Sequence, residues 1–310
     1  MEHLDGILPV YKDEGMTSHD VIYCLRRILG QKKIGHTGTL DPMASGLLLV
    51  CLGRATKLTQ FLSDWDKAYL AELTLGQTSD TLDGEGQLSA IMPVPDLTES
   101  DILGMLDKFT GRIVQKVPAY SAVKVAGKEL YKYARKGVDV ETPEREVTIE
   151  KIDLISYTNP LMQIEVSCGK GTYIRTLADD IGREIGCGAY LSGLKRIRVA
   201  SHTIEKALSI AEVELQFKAG KLHESILSMA EMLSFPMISV NHRAVETIRH
   251  GGIPEHQDII DCQGSFIPGD LISMADEYGE ILAIGKSKCS DDAMATVDRD
   301  KFFSYVRVLI

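Results

Sequence analysis

The segment Lys33-Ile34-Gly35-His36-Thr37-Gly38-Thr39-Leu40-Asp41-Pro42-Met43-Ala44-Ser45-Gly46 gathers a carboxylate, an imidazole and three glycines within fourteen residues. Glycine lets backbone approach a ligand closely. Pro42 disfavours helix at Asp41 and leaves it extended or in a turn. A carboxylate so placed, ahead of the apolar run Gly46 to Leu52, would project from a rigid base into a cleft. The plainer reading is an Asx turn, because Asp-Pro is a common turn pair. A P-loop is excluded, since no Lys-Ser/Thr follows the second glycine.

Four more segments hold residue types that do chemistry. Lys67-Ala68-Tyr69 opens an alternating run, where a Tyr is more often core than catalytic. Thr78-Ser79-Asp80-Thr81-Leu82-Asp83-Gly84 resembles a calcium loop but puts Ala90 where a bidentate Glu is needed, so it reads as a turn. Val117 to Lys124, continuing through Tyr131 to Arg135, interleaves cations with tyrosines, which suits phosphates and stacked bases. Tyr120 and Lys124 are the substrate-binding candidates there, and a solvated helix face is the alternative for Lys128, Lys132 and Lys136. Gly169-Lys170-Gly171-Thr172-Tyr173-Ile174-Arg175 is a Gly-rich strand-to-helix turn that favours anions. Arg175 would hold a carboxylate ionised, or form a structural salt bridge.

Other chemistries find little support. There is no H-E-x-x-H, no C-x-x-C and no G-x-S-x-G. His242, Glu246 and His250 share a helix face, but no second cluster joins them. No metal and no cofactor are expected. Six scattered cysteines suit reduced thiols in a cytoplasmic protein. The start MEHLDGILPV is no signal peptide, and Leu47 to Leu52 is too short to span a bilayer, so no membrane role is expected.

These residues need elements to position them. Ile7 to Tyr11 reads as a strand. Ser18 is placed to cap a helix carrying Val21, Ile22, Leu25, Ile28 and Leu29, with Gly30 ending it. Gly35 to Gly46 reads as a loop, Gly46 to Leu52 as a buried strand and Arg54 to Leu62 as a helix. Tyr69 to Leu75 alternates as a half-buried strand. Thr98 and Asp101 form a capping box before Ile102. Ile113 to Val117, Glu146 to Tyr157 and Met162 to Cys168 are strands, and Tyr173 to Ile185 has helical periodicity. After Phe235 the strands shorten, with Leu271 to Met274, Ile281 to Ile284 and Tyr305 to Ile310 the best candidates. The boundary separates residues 1–235 from 236–310.

The net charge of −10 opposes nucleic-acid binding at first sight. Its distribution matters more. Residues 101–137 carry eight Lys/Arg against three Asp/Glu, whereas 200–310 carry ten against seventeen. An acidic total leaves room for a basic groove.

In order, the five segments resemble the TruB family of tRNA pseudouridine synthases. The matching motifs are K-x-G-H-x-G-T-L-D-P-x-A-S-G from Lys33, K-x-Y from Lys67, T-S-D-T-x-D from Thr78, P-x-Y-S-A-x-K from Pro118 and G-T-Y-I-R from Gly171. Leu191 to Arg196, L-S-G-L-K-R, resembles a further element. The resemblance covers about residues 5 to 235. It implies an α/β (α+β) fold: a mixed, largely antiparallel sheet in a catalytic domain, then a small β-rich, PUA-like RNA-binding domain. It implies conversion of uridine 55 in the tRNA T-arm. No obligate protein partner is expected, and a monomer is the default. A tRNA-binding folding factor acting on the tRNA elbow is the alternative. By the same resemblance Asp41 is the catalytic aspartate, Tyr69 packs on the target base, and Tyr173 and Arg175 complete the active site. His36 helps displace the base, and Leu194 packs in the pocket. Gly35, Thr39, Leu40 and Lys170 are further substrate-binding candidates. Two departures stand out. Asp13 occupies the place of a family proline, and residues 237–310 carry seven Lys/Arg against twelve Asp/Glu, unhelpful for a domain that touches RNA.

Overall fold

The computed structural model describes residues 3–294 and 302–310. The elements run β1 (Gly6–Lys12), α1 (Ser18–Leu29), β2 (Ile34–His36), β3 (Ala44–Leu52), α2 (Thr59–Leu62), β4 (Lys67–Leu75) and α3 (Glu99–Leu106). Then follow β5 (Gly111–Lys116), β6 (Lys124–Val125), β7 (Lys128–Glu129), α4 (Leu130–Ala134), β8 (Glu144–Thr158), β9 (Leu161–Cys168), α5 (Ile174–Ile185), β10 (Ala189–Val199), β11 (His202–Thr203) and α6 (Ile210–Lys218). The remainder is β12 (Met237–Val240), α7 (His242–Arg249), β13 (Ile259–Gln263), β14 (Leu271–Ala275), β15 (Ile281–Ser287) and β16 (Phe303–Val308).

The large sheet has the order β1-β3-β10-β4-β9-β8-β5, with β2 beside β3 and β11 beside β10. Only the β3–β10 pairing is parallel within it, so the sheet is mixed and largely antiparallel. β3 shows why its sequence is apolar throughout. Leu48, Val50 and Leu52 pack on one face against Val21, Ile22 and Leu25 of α1. Leu47, Leu49 and Cys51 pack on the other. A strand covered on both faces needs no polar alternation. β4 does alternate: Tyr69, Ala71, Leu73 and Leu75 enter a core with Met162, Ile164 and Val166 of β9 and Leu177 and Ile181 of α5.

β10 joins the two halves of the sheet. Its Leu194 to Arg196 lies parallel to Ala44 to Gly46, and its other edge pairs with β4. The join demands glycine at position 46: φ is +106°, and a Cβ there would lie 2.3 Å from the Arg196 carbonyl oxygen.

Local signals held with three adjustments, the first being that the expected loop over residues 35–46 shrinks to 37–43, because β2 takes 35–36 and β3 takes 44–46. Thr17, not Ser18, caps α1, exchanging hydrogen bonds with Asp20, and Gly30 ends the helix in the left-handed region. Residues 53–58 form a 3₁₀ turn, and only Thr59–Leu62 is α-helical. There Thr56 Oγ1 donates to Gly53 O and Thr59 Oγ1 to Thr56 O, local bonds that compete with regular helix.

The second sheet has the order β13-β12-β14-β15-β16 over its own core, which includes Ile238, Phe266, Ile272 and Phe303. It also shares a core with the first sheet, where Ala275, Ile281, Ile284 and Leu309 meet Leu47, Leu49 and Leu58. Lys57 Nζ donates to the Val308 and Leu309 carbonyls, and Arg54 bridges Asp5 and Glu280. No described helix is long and apolar enough to cross a membrane.

Candidate active site

Asp41 sits on the loop between β2 and β3, pinned from both sides. Ser18, freed from capping, accepts from Leu40 N at 2.8 Å and donates to Leu40 O at 3.2 Å. Lys12 is fully buried, and its Nζ donates to the carbonyls of Asp13, Met16 and Pro42. Gly15 N also donates to Pro42 O. The loop is therefore rigid where Asp41 leaves it.

The second residue of α5 reaches that carboxylate. Arg175 Nε lies 2.9 Å from Asp41 Oδ2, and Nη1 lies 3.2 Å from Asp83 Oδ2. Nη1 also donates to Thr81 O and Nη2 to Tyr120 O. The planar fork suits this many-sided grip, which a lysine cannot copy. Arg175 itself is oriented by α5. The backbone of its N-cap Tyr173 is held in both directions by the side chain of Gln115, which is 1% exposed.

The two carboxylates differ. Asp83 is buried; its Oδ1 accepts from Thr81 Oγ1 and Glu85 N and its Oδ2 from Arg175. Asp41 keeps 38% of its side-chain surface and opens into a cavity of about 410 Å³. Leu40, Tyr69, Tyr120, Tyr131, Tyr173 and Leu194 give that cavity aromatic and apolar walls. The space and its lining suit one planar base.

Tyr69 is 8% exposed. Burial pushes its phenol above its ordinary 10, opposed by the charge and hydrogen bond of Arg196. It is a neutral phenol at physiological pH. His36 is pushed below its ordinary 6.5, by burial first and by Arg196 second, so it is a neutral imidazole there. Its Nδ1 is buried without a hydrogen-bond partner among the described residues.

The structure thus brings Asp41, Tyr69, Tyr173, Arg175, Thr39, Leu40, Tyr120 and Leu194 around one cavity, with His36 on an adjoining cleft. Three candidates stand apart. Gly35 lies within β2, Lys124 is exposed on the β6–β7 hairpin, and Lys170 pairs with Asp64 on another cleft. Three residues of the site were not assigned from sequence: Lys12, Asp83 and Arg196. Asp83 and Arg196 lay within quoted motifs, which were the available signal. No group of three metal-ligating side chains occurs among the described residues.

Comparison with known proteins agrees with this architecture. The family model for "TruB family pseudouridylate synthase (N terminal domain)" matches residues 26–174, that for "tRNA pseudouridylate synthase B C-terminal domain" 175–234, and that for "PUA domain" 236–309. The tRNA pseudouridine synthase B of Listeria monocytogenes serotype 4b is 43% identical over 242 residues, 74% of this chain and 80% of its own. That of Halalkalibacterium halodurans is 39% identical over 303 residues, 96% of this chain and 97% of its own. Among solved structures, a chain of an H/ACA RNP bound to a substrate RNA containing 2′-deoxyuridine superposes with a TM-score of 0.76 at 24% identity, over 98% of this chain and 85% of that one. The fold is thus of the pseudouridine synthase type with a C-terminal PUA domain. By these matches the chain belongs to the TruB family of pseudouridylate synthases.

Proposed function

We propose that this protein isomerises uridine 55 in the T-arm of tRNA to pseudouridine, with Asp41 as the catalytic carboxylate. The observation that carries the reading is the Asp41–Arg175 pair: a buried cation fixes one carboxylate oxygen, and among the described residues no hydrogen bond engages the other, on a carboxylate that keeps 38% of its side-chain surface. Such an oxygen can attack C1′ or take a proton from C2′. The C1′–N1 bond breaks and the base turns; C5 then bonds to C1′ as the Asp41–C1′ bond breaks on the first route, or as C2′ takes its proton back on the second, and the C5 proton leaves while N1 gains one. The conversion is redox-neutral and atom-balanced, so it calls for no cofactor.

A base inside folded tRNA must be flipped out to reach Asp41. Tyr69 and Leu194 would receive it, and the neutral Tyr69 phenol would relay the C5 proton. In this reading residues 1–235 form the catalytic domain and 236–310 an RNA-binding domain. The protein acts as a cytoplasmic monomer without a protein partner. The names of the relatives, each a tRNA pseudouridine synthase B, support tRNA as substrate.

The test is tritium release from tRNA labelled at uridine C5, with no metal or cofactor added. Stoichiometric release that disappears when uridine 55 is replaced supports the reading. Tight binding without release overturns it.

A further inference from the structure

Beside the Asp41 cavity lies a second cleft of about 350 Å³, which shares the walls Thr39, Tyr69, Thr172 and Tyr173. Two buried cations close it. Arg196 is 1% exposed and Lys67 is 9% exposed. His36 stands on its wall, and no Asp or Glu lines it. Every acceptor that holds the two cations is a neutral oxygen. Arg196 donates to Leu47 O at 2.7 Å, to Gly38 O at 3.1 Å and to Tyr69. Lys67 Nζ donates to the carbonyls of Ser63 and Trp65. Burial, and after it the charge of Arg196, pushes Lys67 below its ordinary range. Buried charges are ordinarily paired with an opposite charge, and among the described residues neither of these two forms an ion pair, Asp66 and Asp64 acting on Lys67 only from a distance.

The surroundings favour an anion further. On the two loops that border the cleft, the amides of Gly38, Thr39 and Gly171 donate to no acceptor among the described residues, and Thr172 closes the turn over Lys170 and Gly171. Arg145 packs against Gly171, its Nη1 2.7 Å from where a Cβ would stand. Asp64 and Asp66 lie outside, on the adjoining cleft, and Lys170 engages Asp64 at 2.5 Å.

We propose that this cleft is a phosphate subsite, holding one of the two phosphodiesters that flank the target nucleotide while its base occupies the Asp41 cavity. The proposal rests on the Asp41 cavity being the nucleotide pocket. A flipped nucleotide keeps both backbone links, so a phosphodiester must come to rest beside that pocket. Once C1′–N1 breaks, the base is no longer tied to the sugar. A gripped phosphate keeps C1′ facing Asp41 while the base turns.

Two measurements test this. The first adds inorganic phosphate to the full-length protein and follows its amide ¹⁵N–¹H spectrum. Saturable shifts at Gly38, Thr39 and Gly171, lost in Lys67→Met, are expected. A wild-type spectrum without saturable shifts there overturns the subsite. The second uses tRNAs assembled by ligation, each with one neutral methylphosphonate linkage, and needs no protein variant. One linkage beside the target is expected to lower kcat/KM roughly tenfold or more, as loss of a charge-assisted hydrogen bond does. Equal rates for every linkage, from tRNA that is itself converted, overturn the subsite and leave the Asp41 reading standing. Unmodified tRNA that is never converted overturns both.

Discussion

Arg175 Nε stands 2.9 Å from Asp41 Oδ2, yet the guanidinium is 6% exposed and the carboxylate 38%. The cation is fixed inside the protein, and the anion is presented to the cavity. A surface ion pair with this spacing would be worth little. Here the burial of Arg175, and its further ties to Asp83, Thr81 and Tyr120, orient the open carboxylate before any substrate arrives.

Asp41→Asn preserves shape and removes the charge. Turnover is expected to fall roughly 10³-fold or more, the scale of losing a group that acts in the chemical step. tRNA affinity should stay within a few-fold of wild type. Tritium release and filter binding on the same preparation separate the two. Near-normal turnover would exclude Asp41 as the catalytic group.

Asp83 does not reach the cavity, so its substitution tests orientation. Asp83→Ala leaves Arg175 with one carboxylate and Thr81 Oγ1 without its acceptor at 2.5 Å. Removing one member of a buried charge pair costs about 3–5 kcal/mol of stability. A drop in kcat of roughly 10²-fold, with KM little changed, is expected from a misaimed Asp41. Urea melts and steady-state kinetics give both numbers. A stability loss with unchanged kcat would confine Asp83 to holding the fold.

The contrast between Asp83 and β3 shows what the sequence made legible. β3 is an unbroken apolar run because its two faces meet two cores, and burial is written directly in residue type. The capping box at Thr98 and Asp101 is local, and both of its hydrogen bonds form. Asp83 read as a turn residue because its charge partner is 92 positions away in the chain. β10 was harder still. Leu191-Ser192-Gly193-Leu194-Lys195-Arg196 mixes a glycine and cations where a central strand would be apolar. Arg196 is tolerated there because acceptors from Leu47 and Gly38 meet it, and no local pattern records them. The Asp41 loop was legible as a motif, but the lysine and serine that clamp it come from β1 and α1.

The exposed lysines of the β6–β7 hairpin are expected to bear on RNA affinity. Lys132 pairs with Glu129 at 2.8 Å, whereas Lys124 and Lys128 form no ion pair among the described residues. Each phosphate contact adds about 0.9 to the slope of log affinity against log salt for duplex, less for single strands. Replacing Lys124 and Lys128 by Ala is expected to flatten the slope by roughly one to two, and adding Lys132→Ala should change it little further. Binding titrations at three or more salt concentrations measure this. An unchanged slope in the double variant would place both lysines on a solvated face.

Asp180 on α5 predicts a pH dependence of stability. Burial first, then the neighbouring charge of Asp179, pushes its carboxyl up from 3.8 to about 6, against the opposing pull of Arg183. Between those values the folded chain keeps the proton and the unfolded chain has released it. Stability therefore falls as pH rises from about 4 to about 6, and the penalty is complete above that window. A shift of this size, reduced for the residue's partial exposure, corresponds to about 1–2 kcal/mol. Asp180→Asn removes the ionisable group. It is expected to stabilise the protein by about that amount at pH 7.5 and to leave stability nearly unchanged at pH 4, where the native carboxyl is already neutral. Urea unfolding at the two pH values decides the matter, because equal effects at both would trace the change to packing or hydrogen bonding and not to charge.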